Sequence, residues 1–127
     1  MKYTLEVPWP PATGNHTTRK GAGGFYTQAS IVKWRALVAV AAAQAGLQLE
    51  LAGPLEMTIW AAPPDRKARD CDNLRKVLAD ALVKGRVIAD DSNQVITREV
   101  FEWFAPVKGG ALAVQLVVLP AVDASQK

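Results

Sequence analysis

The stretch RDCDNLRKVLADAL, residues 69–82, decides the fold and raises the main chemical question. Its apolar residues recur at the i, i+3, i+4, i+7 and i+8 spacing of an amphipathic helix. This spacing predicts a helix over residues 73–84 that Gly85 ends. Just before it, Asp70 and Asp72 stand two residues apart, although like charges repel at short range. A metal ion, the basic neighbours or exposure to water would make this crowding tolerable. The apolar residues are Leu74, Val77, Leu78, Ala81 and Leu82.

The flanking sequence predicts four strands and a second helix. β-rich or alternating segments, bounded by Pro and Gly, indicate strands over 3–7, 55–61, 95–104 and 111–119. Residues 15–24 form a glycine-rich basic loop, and 25–26 a brief extended piece. A helix from about 27 to 45 follows, with Ile31, Trp34, Leu37, Val38, Ala41 and Ala42 as its apolar face. The order β, α, β, α, β, β favours an α/β or α+β fold with a small mixed sheet and two main helices.

Length and composition indicate one intracellular domain. The 127 residues fit a single domain over 1–120, with 121–127 as a frayed tail, and a hydrophobic share of 50% argues against disorder. Cys71 is the sole cysteine, which excludes an internal disulfide and a cysteine-based zinc cluster. We expect its side chain to face the core. The chain contains neither a signal-peptide pattern nor an apolar run of the roughly 20 residues that span a bilayer, so we expect a cytoplasmic protein without membrane contact.

The charge is mild overall but clustered. The formal net charge is +3, and five basic residues between 64 and 76 surround three aspartates. A basic rim around an acidic centre suits a polyanion that the rim holds and the centre acts on. A solvated charged face without a partner is the alternative.

The aspartates suggest a metal site. If residues 69–72 are extended, Asp70 and Asp72 point to the same side, and the loop over 86–94 could bring Asp91 back to them. Three carboxylates form the hard, oxygen-rich site that Mg²⁺ prefers. Alternatively, Asp72 only caps the helix, Asp70 pairs with Arg69 or Arg66, and Asp91 lies in a solvated turn. The D-x-D pattern also occurs in glycosyltransferases, although this chain is too short for a nucleotide-sugar domain.

Lys76 lies one turn after Asp72 in the predicted helix. At about 100° per residue it points away from Leu74 and Leu78, so it is not a core residue. It could hold a phosphate or stabilise charge in a transition state beside a metal. It could equally be a surface lysine that pairs with Asp72.

Four segments resemble the RusA-type Holliday junction resolvases, small endonucleases of bacteria and their phages. They are PWPPATGN at 8–15, FYT at 25–27, DRKARDCDNLRKVLADALVKGRVIADDSNQV at 65–95 and KGG at 108–110. The resemblance implies a homodimeric α/β nuclease that needs Mg²⁺, or Mn²⁺ in its place, and resolves four-way DNA junctions by paired nicks in recombination and repair. It assigns metal binding to Asp70, Asp72 and Asp91 and a catalytic role to Lys76.

The remaining candidate residues would contact DNA. They lie in the basic loop and around the acidic centre: Asn15, Arg19, Lys20, Arg66, Lys67, Arg69 and Asn73. Two other functions stay open at this point. One is a nuclease of the same fold that prefers flaps, replication forks or duplex. The other is a DNA-binding module without catalysis, whose acidic residues only cap a helix.

Overall fold

A mixed four-stranded sheet and two helices form the framework of the protein. The computed structural model describes residues 1–11, 18–21, 24–27 and 29–120, with the backbone alone for 18–21 and 24–27. The predicted tail over 121–127 lies outside these residues. The elements are β1 (Lys2–Val7), β2 (Thr18–Gly21), β3 (Gly24–Thr27), α1 (Ala29–Gln44), β4 (Leu55–Ala62), α2 (Cys71–Lys84), β5 (Ile96–Trp103) and β6 (Ala111–Val118).

The sheet has the strand order β1-β6-β4-β5. β4 and β5 are parallel, whereas β6 runs antiparallel to β1 and to β4. Helix α2 connects β4 to β5, because parallel neighbours need a crossover connection. The segments that follow β4 and β5 therefore meet at one edge of the sheet, where the Val107 amide donates to the Pro63 carbonyl at 3.0 Å. We call this edge the carboxyl edge and the opposite one the amino edge.

The core lies between one face of the sheet and the two helices. Every second residue of β4 is buried, starting from Leu55, as period-two alternation requires. The five apolar residues predicted for α2 are all buried against this face. The α+β prediction is therefore confirmed, with strand ends within one or two residues of those predicted. Within the described residues, neither helix has the length and apolar composition that a membrane span needs.

Two local predictions are wrong. The predicted loop over 15–24 contains strand β2, which pairs antiparallel with β3. On α1, Leu37 was expected in the apolar face but is 56% exposed, as are Val32 and Val40 at more than half. At about 100° per residue, Leu37 lies roughly 100° from the centre of the buried stripe. That stripe consists of Ile31, Trp34, Val38 and Ala42.

Gly53 fixes the entry into β4. Its φ is +87°, and a Cβ built on it would lie 2.5 Å from the Val95 carbonyl oxygen, the acceptor of the Leu55 amide. We expect Gly53→Ala to lower the free energy of unfolding by about 2–5 kcal/mol, since it adds a clash to left-handed strain. Gly109→Ala is the matched control, because Gly109 has φ +78° and open space around it. The measurement is urea unfolding of both variants. Equal losses in the free energy of unfolding would show that crowding by Val95 contributes nothing.

Candidate active site

The amino terminus of α2 brings two carboxylates together. Asp70 is the N-cap residue, with extended backbone angles of φ −98° and ψ 125°, and its Oδ1 accepts from the Asp72 amide at 2.9 Å. The helix thus begins at Cys71, two residues before the predicted start. The expectation that residues 69–72 are extended is wrong for Cys71 and Asp72, which lie in the first turn of the helix. The two carboxylates, which we call the acidic pair, meet through helix capping and not through strand alternation.

The acidic pair has the chemistry of a hard cation site. Ligand atoms of Asp70, Cys71 and Asp72 lie within 4.8 Å of one another. Both aspartates are exposed, and the positive end of the α2 dipole offsets part of their repulsion. Carboxylate oxygens that are open to water suit Mg²⁺, which keeps several waters when a protein binds it. Cys71 was expected to face the core, but it is exposed because it opens the helix.

Lys76 is exposed on α2, one turn beyond Asp72. Residues four apart on a helix have Cβ atoms about 5–6 Å apart, so the Lys76 ammonium can reach the space beside the acidic pair. Leu74 and Leu78 are buried on the opposite side of the helix, as predicted. Asn73 is exposed in the first turn of α2.

Asp91 lies at the amino edge, away from the acidic pair. The amides of Val95 and Ile96 both donate to the Ser92 carbonyl, at 3.0 and 2.9 Å, and Asp91 directly precedes this turn, which leads into β5. The acidic pair is at the other end of α2, a helix of 14 residues and so about 21 Å long. Within one chain, the loop over 86–94 therefore does not bring Asp91 back to Asp70 and Asp72. Its role as a metal ligand stays a prediction.

Basic residues line the segment between β4 and α2. Arg66 and Lys67 are exposed, while Arg69 donates to the Asp65 carboxylate at 2.8 Å and not to Asp70. The Arg69 hydrogen bond, assisted by the Lys67 amide, holds the pKa of Asp65 below its ordinary value. The Arg69 guanidinium also lies 5.7 Å from the centroid of the Trp9 ring. Arg69 is thus fixed in place next to the acidic pair.

The structure does not describe the side chains of three other predicted DNA contacts. Asn15 lies outside the described residues. Arg19 and Lys20 belong to β2, where the backbone alone is described. Sequence reasoning also missed two exposed aromatic residues at the carboxyl edge, Trp103 and Phe104. Their signal was the succession of two large aromatic residues at the end of a strand, two residues before Pro106.

Comparisons with known proteins identify the family of the chain. The family model described as "Endodeoxyribonuclease RusA" matches residues 8–116. The crossover junction endodeoxyribonuclease RusA of Escherichia coli K12 is 38% identical over 111 residues, 87% of this chain and 89% of the relative. The protein of that name from Enterobacteria phage 82 is 37% identical over 111 residues, with the same coverage. A third, from Escherichia coli O139:H28, is 36% identical over 118 residues, 92% of this chain and 95% of its own. The resemblance noted in the sequence is confirmed, and the chain belongs to the RusA family of endodeoxyribonucleases.

Proposed function

We propose that this protein is an endodeoxyribonuclease that resolves four-way DNA junctions by paired nicks in opposing strands, in recombination and repair. The observation that carries the proposal is the exposed acidic pair at the start of α2. It lies in a chain that is 38% identical, over most of its length, to a protein named for crossover junction cleavage. Exposed basic residues next to the pair, Arg66 and Lys67, are suited to the sugar-phosphate backbone of such a substrate.

The acidic pair would hold Mg²⁺, with Mn²⁺ as a substitute. Of its four carboxylate oxygens, Asp70 Oδ1 alone accepts a hydrogen bond from a residue that the structure describes. That bond orients Asp70 while leaving its second oxygen available as a ligand. A bound divalent ion supplies positive charge that polarises a phosphate and stabilises the leaving oxygen. Lys76 would place a second positive charge beside the same phosphate, where negative charge develops during cleavage.

We also infer a two-fold homodimer in which the partner's Asp91 completes each site. Two nicks on opposing strands need two sites, and each chain has one acidic pair. In its own chain, Asp91 lies about a helix length away from that pair. A two-fold axis presents the same surface of both protomers to each other, so it can bring the amino edge of one protomer to the carboxyl edge of the other. Such an arrangement would supply a third carboxylate to each acidic pair, which Asp91 of the same chain is too distant to do.

Subunit mixing tests this shared site. We expect Asp70→Asn and Asp91→Asn each to be inactive as pure proteins. After subunit exchange in an equal mixture, half of the dimers are hybrids, and each hybrid has one site free of substitutions. Nicking should therefore return to about one quarter of the wild-type rate. The measurement is single-strand nicking of a labelled four-way junction before and after exchange.

The matched control mixes Asp70→Asn with Asp72→Asn. Both substitutions affect the same acidic pair, so hybrids of these two variants contain no intact site and should stay inactive. Native mass spectrometry of a tagged subunit confirms that hybrids form. Hybrids of Asp70→Asn and Asp91→Asn that form but do not nick would refute the shared site.

The function itself is tested with a synthetic four-way junction, incubated with and without Mg²⁺ and resolved on a denaturing gel. We expect symmetric cuts on two opposing strands in the presence of Mg²⁺ alone. Faster cleavage of flaps, forks or linear duplex would identify a nuclease for another branched or unbranched DNA. Equal binding with Mg²⁺ and with EDTA, without any cut, would identify a DNA-binding module.

A further inference from the structure

Two large aromatic side chains are exposed at the carboxyl edge, the edge at which α2 and its acidic pair begin. Trp103 is 40% exposed and Phe104 51%. Both are well held. The Trp103 ring lies 4.9 Å from the ring of Phe101, which packs against the core, and the Phe104 amide donates to the Ala61 carbonyl at 2.8 Å. Exposed apolar rings on a fixed backbone are typical of a surface that binds a ligand or another macromolecule.

A cleft of about 530 Å³ opens between these rings and the segment that leads to the acidic pair. Its volume falls within the range of about 300–1,000 Å³ that is usual for ligand sites. We call it the aromatic cleft. One wall is formed by Trp103, Phe104, Ala105 and Pro106, and the other by Pro63, Asp65, Arg66, Lys67 and Arg69.

The basic wall of the aromatic cleft is already ordered. Arg69 Nη1 contacts the Asp65 carboxylate at 2.8 Å and donates to the carbonyl oxygens of Asp65 and Lys67 at 3.3 and 3.2 Å. The Trp9 ring lies against the same guanidinium. A ligand would therefore meet a wall whose main side chain is fixed, which reduces the entropy lost on binding. Arg66 and Lys67 add exposed positive charge to this wall.

We propose that the aromatic cleft receives an unstacked nucleobase of the branched DNA, next to the phosphate at the acidic pair. This inference rests on the proposed function. A nucleotide has a flat π face and a negative phosphate, and the cleft offers aromatic rings opposite cations. An apolar peptide would match the rings but not the three basic residues. Arg69 lines the cleft and directly precedes Asp70 in the chain, so the occupant of the cleft would lie near the reacting nucleotide.

The branch point of a junction is where such a base is easiest to obtain. Extruding a base costs least where its stacking or pairing is already interrupted. Stacking on an aromatic ring accepts every base, so the aromatic cleft would select the shape of the branch and not its sequence. Binding the base would also fix the adjacent phosphate relative to Asp70 and Asp72.

The test pairs substitutions in the cleft with abasic nucleotides in the DNA. Junction affinity is measured in EDTA for the wild-type protein and for Trp103→Ala/Phe104→Ala. An abasic nucleotide is placed in turn at each position flanking the branch. We expect the double variant to bind the intact junction about 5- to 150-fold more weakly, the factor equivalent to stacking one base. At one position the abasic nucleotide should weaken wild-type binding by the same factor and leave the variant unchanged.

Three further proteins make the result specific. Val107→Ala removes an exposed apolar side chain close to the cleft but outside its lining, and should bind as the wild type does. Trp103→Phe and Phe104→Tyr keep an aromatic ring at each position and should retain most of the affinity. Thermal unfolding of all variants checks that the fold persists.

The outcomes separate this inference from the nuclease proposal. Abasic losses that are equal in wild type and double variant at every position would overturn the base-binding role. So would a double variant that binds normally, or one that loses affinity only because it no longer dimerises in sedimentation experiments. Coupling between cleft and base in a protein that cuts no DNA would uphold the aromatic cleft and refute the nuclease function.

Discussion

We expect Asp70→Asn and Asp72→Asn each to abolish Mg²⁺-dependent cleavage of a four-way junction, while binding of the junction persists. Each substitution removes one of two carboxylates whose ligand atoms lie within 4.8 Å, so the site loses a charge that holds the cation. Binding in EDTA should be equal or tighter, because a negative charge facing phosphate is removed. Asparagine at position 70 caps a helix as well as aspartate does, which preserves the start of α2. The measurement is single-turnover cleavage of saturated junction.

Asp80→Asn provides the matched control for these substitutions. Asp80 lies on the same helix and makes a long contact of 3.9 Å with Arg35. Losing such a partly exposed pair costs under about 1 kcal/mol. We expect normal cleavage by this variant. An Asp70→Asn or Asp72→Asn protein that cuts at close to the wild-type rate would remove that residue from the metal site.

Lys76→Ala should slow cleavage by roughly 10²–10³, the scale of losing one donor that stabilises the transition state. Lys76 is exposed on α2, so truncation creates no cavity, and the free energy of unfolding should change by under about 1 kcal/mol. Junction affinity should fall only slightly, since one charge among several basic residues is lost. The measurement is the single-turnover rate at saturating protein, which separates cleavage from binding.

Lys2→Ala is the control for Lys76→Ala. Lys2 is an exposed lysine at the start of β1, and its register through β6 places it level with Glu56 at the amino edge. Its substitution removes the same charge far from the acidic pair. If both variants cleave at the wild-type rate, Lys76 is a solvated surface residue that pairs with Asp72 at most.

The sequence predicted α2 and the sheet well because their patterns are unambiguous. In α2 the apolar residues occupy one face and charged residues the rest, so Leu74, Leu78 and Leu82 identify the core side. Helix α1 is different, because apolar and alanine residues surround it. Several faces of this helix have apolar residues at helical spacing, and Leu37 was wrongly assigned to the buried face.

The candidate site was less predictable, because it depends on details that spacing does not encode. Either Asp70 or Asp72 can cap a helix, and the extended backbone of Asp70 decided between them. The position of Asp91 follows from the parallel pairing of β4 with β5, which leaves the loop after α2 at the amino edge. The exposure of Trp103 depends on which residues cover the end of β5, and the hydrophobic periodicity of the sequence does not predict this.

Because Asp70 caps α2 through the Asp72 amide, the length of the connection that precedes the helix determines whether the two carboxylates lie together. Surface connections usually tolerate inserted residues at small cost. The segment from Pro63 to Asp70 is different, because contacts hold it along its length. The Pro63 carbonyl accepts from the Val107 amide, Arg69 forms an ion pair with Asp65, and Asp70 caps the start of α2. One residue added at the start of the helix would rotate Asp72 by about 100° relative to its cap. The two carboxylates would then diverge, even though every residue type of the motif were retained.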